Sequence, residues 1–167
     1  MKLIWPFLAV LVFDQLTKLI VRMSLFVGQS VQVIGNVARL TYVENRGMAF
    51  GIQIGDGLVF TILSILASVG IAVYLYLQRD EHPGITVSLS VILGGAVGNL
   101  IDRILFGRVV DFVDVGIGTV RWPVFNVADS AVVIGMVLLI VTTYRMERSS
   151  NPSRKEAMSD SRDGIPS

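Results

Sequence analysis

Long apolar stretches divide the chain, at about residues 3–22, 58–77, 85–106 and 123–144. Each approaches the roughly 20 apolar residues that a helix needs to cross the hydrocarbon core of a bilayer. The pattern predicts four transmembrane helices. Between the first two, Ser30-Val31-Gln32-Val33-Ile34 alternates polar and apolar, and residues 37–43 are rich in β-formers. Gly35-Asn36 is a turn signal between them, and Asn45-Arg46-Gly47 is a second. A small antiparallel sheet over about residues 28–52, lying on the membrane surface, is expected. The stretch 107–122 reads as a short, Gly-punctuated loop that carries Asp111 and Asp114. The expected fold is therefore mainly α: a polytopic membrane protein of four transmembrane helices, with a small extracytoplasmic β-sheet element in the first loop. Residues 1–146 form one membrane domain. Residues 147–167 are Ser-, Arg- and Asp-rich with few apolar positions, and a disordered cytoplasmic tail is expected there.

Composition agrees with the pattern. Only 16% of the 167 residues are charged, against about 25% in soluble domains, and the mean hydropathy is +0.68. A formal net charge of +1 gives no reason to expect nucleic acid as a partner. Cysteine is absent, which excludes disulfides, a thiolate nucleophile and thiolate-bound metal. The one histidine, His82, lies in a polar connector, so neither a His-based zinc site nor a Ser-His-Asp triad is expected. The first apolar run is interrupted by Asp14 and Lys18, and no small-x-small cleavage site follows it. It reads as a retained helix rather than a removed leader. Lys and Arg are divided almost evenly between the two sides. Cytoplasmic termini are still expected, because the arginines of the other side sit beside polar motifs that can hold them there. No internal repeat of the kind found in many transporters is visible.

Ionisable side chains inside a span cost several kcal/mol on insertion scales, about 2.5–3.5 each at the helix centre, so each needs a reason. Asp14 and Lys18 are spaced i, i+4 on the first helix and share a face. They read either as a mutually neutralising pair or as part of a site. In the third span, Gly94 and Gly98 form a G-x-x-x-G that permits close helix contact. Asn99, Asp102 and Arg103 follow on one face. Asp102 beside Arg103 reads as a structural ion pair. Asp111 and Asp129 have no local cation. Singly, Asp111 could be a turn residue and Asp129 a helix-start residue, with Asn126 the better N-cap after Pro123. Brought together in a dry site, two such carboxylates cannot both ionise and share a proton. One can then activate water while the other protonates a carbonyl oxygen.

Five ordered motifs carry a resemblance. They are Asp14-Gln15-Leu16-Thr17-Lys18, Glu44-Asn45-Arg46-Gly47-Met48-Ala49-Phe50-Gly51, the run from Gly94 to Arg103, Val109-Val110-Asp111-Phe112, and Phe125-Asn126-Val127-Ala128-Asp129-Ser130. Together they resemble the lipoprotein signal peptidases, or signal peptidase II, over residues 14–130. The resemblance implies an aspartyl endopeptidase of the bacterial cytoplasmic membrane, with its active site toward the extracytoplasmic face. Its substrate would be a prolipoprotein carrying a diacylglyceryl group on cysteine, cut on the amino side of that cysteine. Asp111 and Asp129 would be the catalytic dyad. Asn45, Asn99, Arg103 and Asn126 would line the site, with Asp14 and Lys18 supporting it and Asp102, Gly94 and Gly98 structural. No cofactor or metal is implied, since water is the nucleophile. Membrane lipids are the expected surroundings and a monomer the expected state. Two rivals remain: a Ser130–Lys18 pair, opposed by the roughly 100° between successive helical side chains, and a small transporter, opposed by the clustering of the acids toward one membrane face.

Overall fold

The computed structural model describes residues 4–49, 52–53, 57–78 and 82–150. Four helices dominate: α1 (Ile4–Ser24), α2 (Gly57–Leu77), α3 (Pro83–Phe106) and α4 (Val127–Ser150). All four are long and apolar enough to cross a membrane. α3 is the central one. Buried residues make up 56% of its apolar window, against 17% for α1 and α4 and 6% for α2. The large apolar side chains of the outer helices point outward instead, among them Phe13, Leu66 and Ile140. Such faces suit lipid rather than water.

Close approach is made by missing side chains. A Cβ on Gly94 would lie 2.9 Å from the Phe7 carbonyl oxygen, and one on Gly98 would lie 2.6 Å from Asp14 Oδ2. Both glycines therefore let α1 onto α3. Gly95 does the same for α4, where a Cβ would run into the Ala128 carbonyl.

Strands β1 (Ser30–Ile34) and β2 (Ala38–Asn45) form the hairpin expected of the first loop. The third loop is not a simple connector. It forms β5 (Val109–Ile117) and β6 (Val120–Arg121), giving one antiparallel sheet in the order β1-β2-β5-β6. The short strands β3 (Met48–Ala49) and β4 (Ile52–Gln53) pair separately. β5 pairs with β2, Asp111 opposite Val43 and Val109 opposite Asn45. Val110 and Phe112 pack with Val21 and Tyr42, which seats the sheet on the end of α1.

Two boundaries differ from the sequence reading. The fourth helix starts at Val127 rather than near 123, because the Phe125 backbone bonds along β5: Val113 N–H donates to its carbonyl at 2.7 Å and its own N–H to the Val113 carbonyl at 3.1 Å. At the other end α4 runs to Ser150, so residues 147–150, read as the start of the tail, are helical. The rest of that tail, 151–167, and Phe50 and Gly51 of the second motif lie outside the described residues.

Candidate active site

The first turn of α4 places Asp129. Asn126 is its N-cap: Asp129 N–H donates to Asn126 Oδ1 at 2.9 Å, and Asn126 N–H donates back to Asp129 Oδ2 at 3.1 Å. This reciprocal capping arrangement satisfies two donors that a helix start leaves open. It also fixes the Asn126 amide, whose oxygen must face the N–H it accepts. The Asn126 NH2 is thereby turned to Asp111 Oδ1, at 2.7 Å. One residue thus bridges the two aspartates.

The other two asparagines are oriented in the same way. Gly47 N–H donates to Asn45 Oδ1 at 2.9 Å, so Asn45 Nδ2 faces Asp111 Oδ2, at 3.0 Å. The Lys18 ammonium, which can only donate, donates to Asn99 Oδ1 at 2.8 Å. Asn99 Nδ2 is then left for Asp129 Oδ1, at 2.7 Å. Every oxygen of the two carboxylates receives an N–H. Asp111 is 3% exposed. Burial, then repulsion from Asp129, pushes its carboxyl up to about 7, against the pull of the Asn45 and Asn126 hydrogen bonds and the Lys18 charge. Its proton is therefore exchangeable near neutral pH.

Both aspartates open into a cleft of about 330 Å³, with Asn45, Phe60, Arg103 and Trp122 among its walls. The Arg103 guanidinium lies within electrostatic reach of Asp129 and Asp111. An adjoining apolar groove of about 360 Å³ continues from Asp129 along α4, past Phe125, Val133 and Ile134. The cleft holds an ionisable pair, a cation and polar side-chain donors at the end of a lipid-facing bundle.

Comparison with known proteins identifies the family. A family model described as signal peptidase (SPase) II matches residues 6–145. The chain belongs to the signal peptidase II family. It is 45% identical over 141 residues to the lipoprotein signal peptidase of Halothermothrix orenii, an alignment covering 84% of this chain and 94% of that one. It is 47% identical over 133 residues to that of Moorella thermoacetica, covering 79% and 85%. A solved bacterial membrane enzyme structure, determined by the in meso method at 2.3 Å resolution, superposes with a TM-score of 0.79 at 34% identity, over 90% of this chain and 92% of its own. Membership makes the chain a multi-pass peptidase of a bacterial membrane.

Within this signal peptidase II fold the expected residues do not all meet. Asp111, Asp129, Asn45 and Arg103 line the cleft. Asn99 and Asn126 sit directly behind the aspartates. Asp14 and Lys18 form a fully buried ion pair at 2.8 Å, one layer further back. The expected Asp102–Arg103 ion pair is corrected. Asp102 Oδ1 pairs with Arg22 at 3.0 Å, and Oδ2 with Lys18 at 3.3 Å. Adjacent helical side chains diverge by about 100°, so Asp102 faces α1 while Arg103 faces the cleft. The Ser130–Lys18 alternative fails on geometry. The Ser130 hydroxyl donates to the Asn126 carbonyl at 2.9 Å, and Lys18 is engaged by Asp14, Asp102 and Asn99. Asp114 is on the sheet, bound by Arg121 and Thr41. Burial tends to raise its carboxyl, but these two partners outweigh that and hold it below the usual range.

Arg22 was missed, although its place four residues after Lys18 puts it on the same face as Asp14 and Lys18. Gln15 was also missed. Its amide bonds Asp14 Oδ2 and the Gly98 carbonyl, both at 3.1 Å. The aromatic walls Phe60 and Trp122 carry no signal that separates them from lipid-facing aromatics.

Proposed function

We propose that this chain is the aspartyl endopeptidase that removes signal peptides from diacylglyceryl-modified prolipoproteins, cutting on the amino side of the lipidated cysteine. The observation that carries the reading is the bridge made by Asn126 between Asp111 and Asp129 in one cleft. Water held between the two carboxylates attacks the scissile carbonyl carbon. Asp129 takes a proton from that water, and Asp111 gives its proton to the carbonyl oxygen. The tetrahedral intermediate then collapses. The carbon–nitrogen bond breaks, the amine of the cysteine leaves with the proton held by Asp129, and Asp111 recovers its proton from the intermediate's hydroxyl. Water supplies the nucleophile, and no cofactor or metal takes part. The enzyme acts as a monomer.

A signal peptide enters as a helix and must unwind to expose its scissile bond. Arg103 and Asn45 supply donors for the freed backbone carbonyls. The apolar groove beyond Asp129 suits an acyl chain. The termini lie in the cytoplasm and the cleft opens toward the extracytoplasmic face. Relatives called lipoprotein signal peptidases support the substrate class.

The test is cleavage of a diacylglyceryl-modified prolipoprotein by the purified protein and by its Asp111→Asn and Asp129→Asn variants. The wild type cuts, and both folded variants are inactive. Cutting by either folded variant would refute the dyad. Failure of the wild type to cut in bilayer lipid would refute the substrate.

A further inference from the structure

Lys18 has no exposed surface and touches neither the cleft nor any place a substrate can reach. A neutralising partner for Asp14 would need only one contact. Lys18 makes three: ion pairs with Asp14 Oδ2 at 2.8 Å and Asp102 Oδ2 at 3.3 Å, and a hydrogen bond donated to Asn99 Oδ1 at 2.8 Å. Each partner then reaches the dyad. Asp102 Oδ2 accepts the N–H of Val110, the residue before Asp111, at 3.1 Å. Asp14 Oδ1 accepts the N–H of Ala128, the residue before Asp129, at 2.9 Å. Asn99 donates to Asp129 itself at 2.7 Å. Two main-chain segments that are distant in sequence, β5 and the start of α4, are thus tied to one nitrogen atom.

We propose that Lys18 is the positioning residue of the dyad, a three-way junction that sets the places of Asp111 and Asp129 relative to each other and so the sharing of their proton. The inference rests on the aspartyl reading above. Arg22 completes the junction by pairing with the second oxygen of Asp102. Asp14, Lys18, Asp102 and Arg22 then sum to zero charge, which lets the cluster sit in a dry interior. The charged groups about the junction are Asp14 and Arg22 on α1, Asp102 on α3 and Asp111 on β5, which feels the Lys18 charge; Asp129 on α4 is reached through Asn99, and Arg103 acts on both aspartates from the cleft.

The test uses the full-length protein in lipid bilayers, with diacylglyceryl-modified prolipoprotein as the probe. The variants are Lys18→Met and the charge-balanced Lys18→Met/Asp14→Asn. The second keeps a carbonyl to accept the Ala128 N–H, so it holds the fold where the first does not. Misplacement of catalytic groups by about 1 Å costs on the order of 100-fold. The expected result in a folded variant is a kcat lowered by at least about tenfold with KM little changed. The alkaline limb of the pH–rate profile, set by the proton that Asp111 must keep, moves to higher pH, because a cation that favours the ionised Asp111 is gone. A folded variant with lower thermal stability but wild-type kcat and pH profile would overturn the inference, leaving Lys18 a structural cation. Asp111→Asn runs beside them. If it cuts, the dyad reading fails and this inference with it. If it is inactive while the Lys18 variants are normal, the inference alone fails.

Discussion

Asp111→Asn should make the protein more stable as well as inactive, and the gain should depend on pH in a defined sense. The Asp111 carboxyl ordinarily titrates at 3.8 and is pushed up to about 7 by burial and by Asp129. A group whose folded value is raised favours the fold while it is protonated. That contribution is fully present below its unfolded value and is lost as pH rises through its folded value. The wild type therefore loses stability between about pH 4 and pH 7 from this group. A shift of about three units corresponds to roughly 4 kcal/mol at 1.36 kcal/mol per unit. Asparagine carries no charge to desolvate and pays none of this. It has its own penalty, because Asn45 and Asn126 both present NH2 groups, and asparagine can accept on only one of its two atoms. A clash of donors costs about 1–3 kcal/mol but does not vary with pH. The pH-dependent part is thus separable. Thermal unfolding of both proteins in one detergent, from pH 4 to pH 8, measures it. The variant's melting temperature should gain on the wild type from about pH 4 to pH 7 and level off above that. Parallel curves would refute the assignment of a raised carboxyl to Asp111, and with it the claim that this group holds the shared proton.

Asn126→Ser and Asn126→Ala separate the two duties of the bridge. Serine keeps an oxygen for the Asp129 N–H and should melt above alanine by the equivalent of about 1 kcal/mol of capping. Both lose the donor to Asp111, so both should cleave the prolipoprotein poorly, with an alkaline limb at higher pH. Full activity in Asn126→Ser would make the residue a cap and nothing more. Gly98→Ala should destabilise by about 1–3 kcal/mol, since the new methyl would stand 2.6 Å from Asp14 Oδ2; an unchanged melting temperature would show that α1 and α3 separate freely there.

The helices were legible because a bilayer imposes one long apolar run per span, and the chain has four. The first-loop hairpin was legible because its turn and its alternation are local. β5 was not, for two reasons. Its partner β2 lies some 70 residues earlier, and its pattern is interrupted by acids. Phe112 faces the α1 end with Val110 and Tyr42, Asp111 faces the cleft, and Asp114 is taken by Arg121 and Thr41. Alternation is a signal of one wet and one dry face, and this strand has neither. The site shows the same divide. That Asp14, Lys18, Asn99, Asp102, Asp111 and Asp129 needed partners followed from the cost of polar groups in a membrane. Which partners they took did not follow. Asp102 adjoins one cation, Arg103, and pairs with two others on a different helix, because chain neighbours on a helix look in different directions. The directions of Asn45, Asn99 and Asn126 were further out of reach. An amide is symmetric in outline, and only the donor on its oxygen side tells which end is NH2. Here those donors are a backbone N–H of a turn, a lysine from α1 and a backbone N–H of the first turn of α4. None is visible until the fold exists, and all three send an NH2 to the same two carboxylates. The direction of each amide is therefore set by its oxygen-side donor, which only the folded chain supplies.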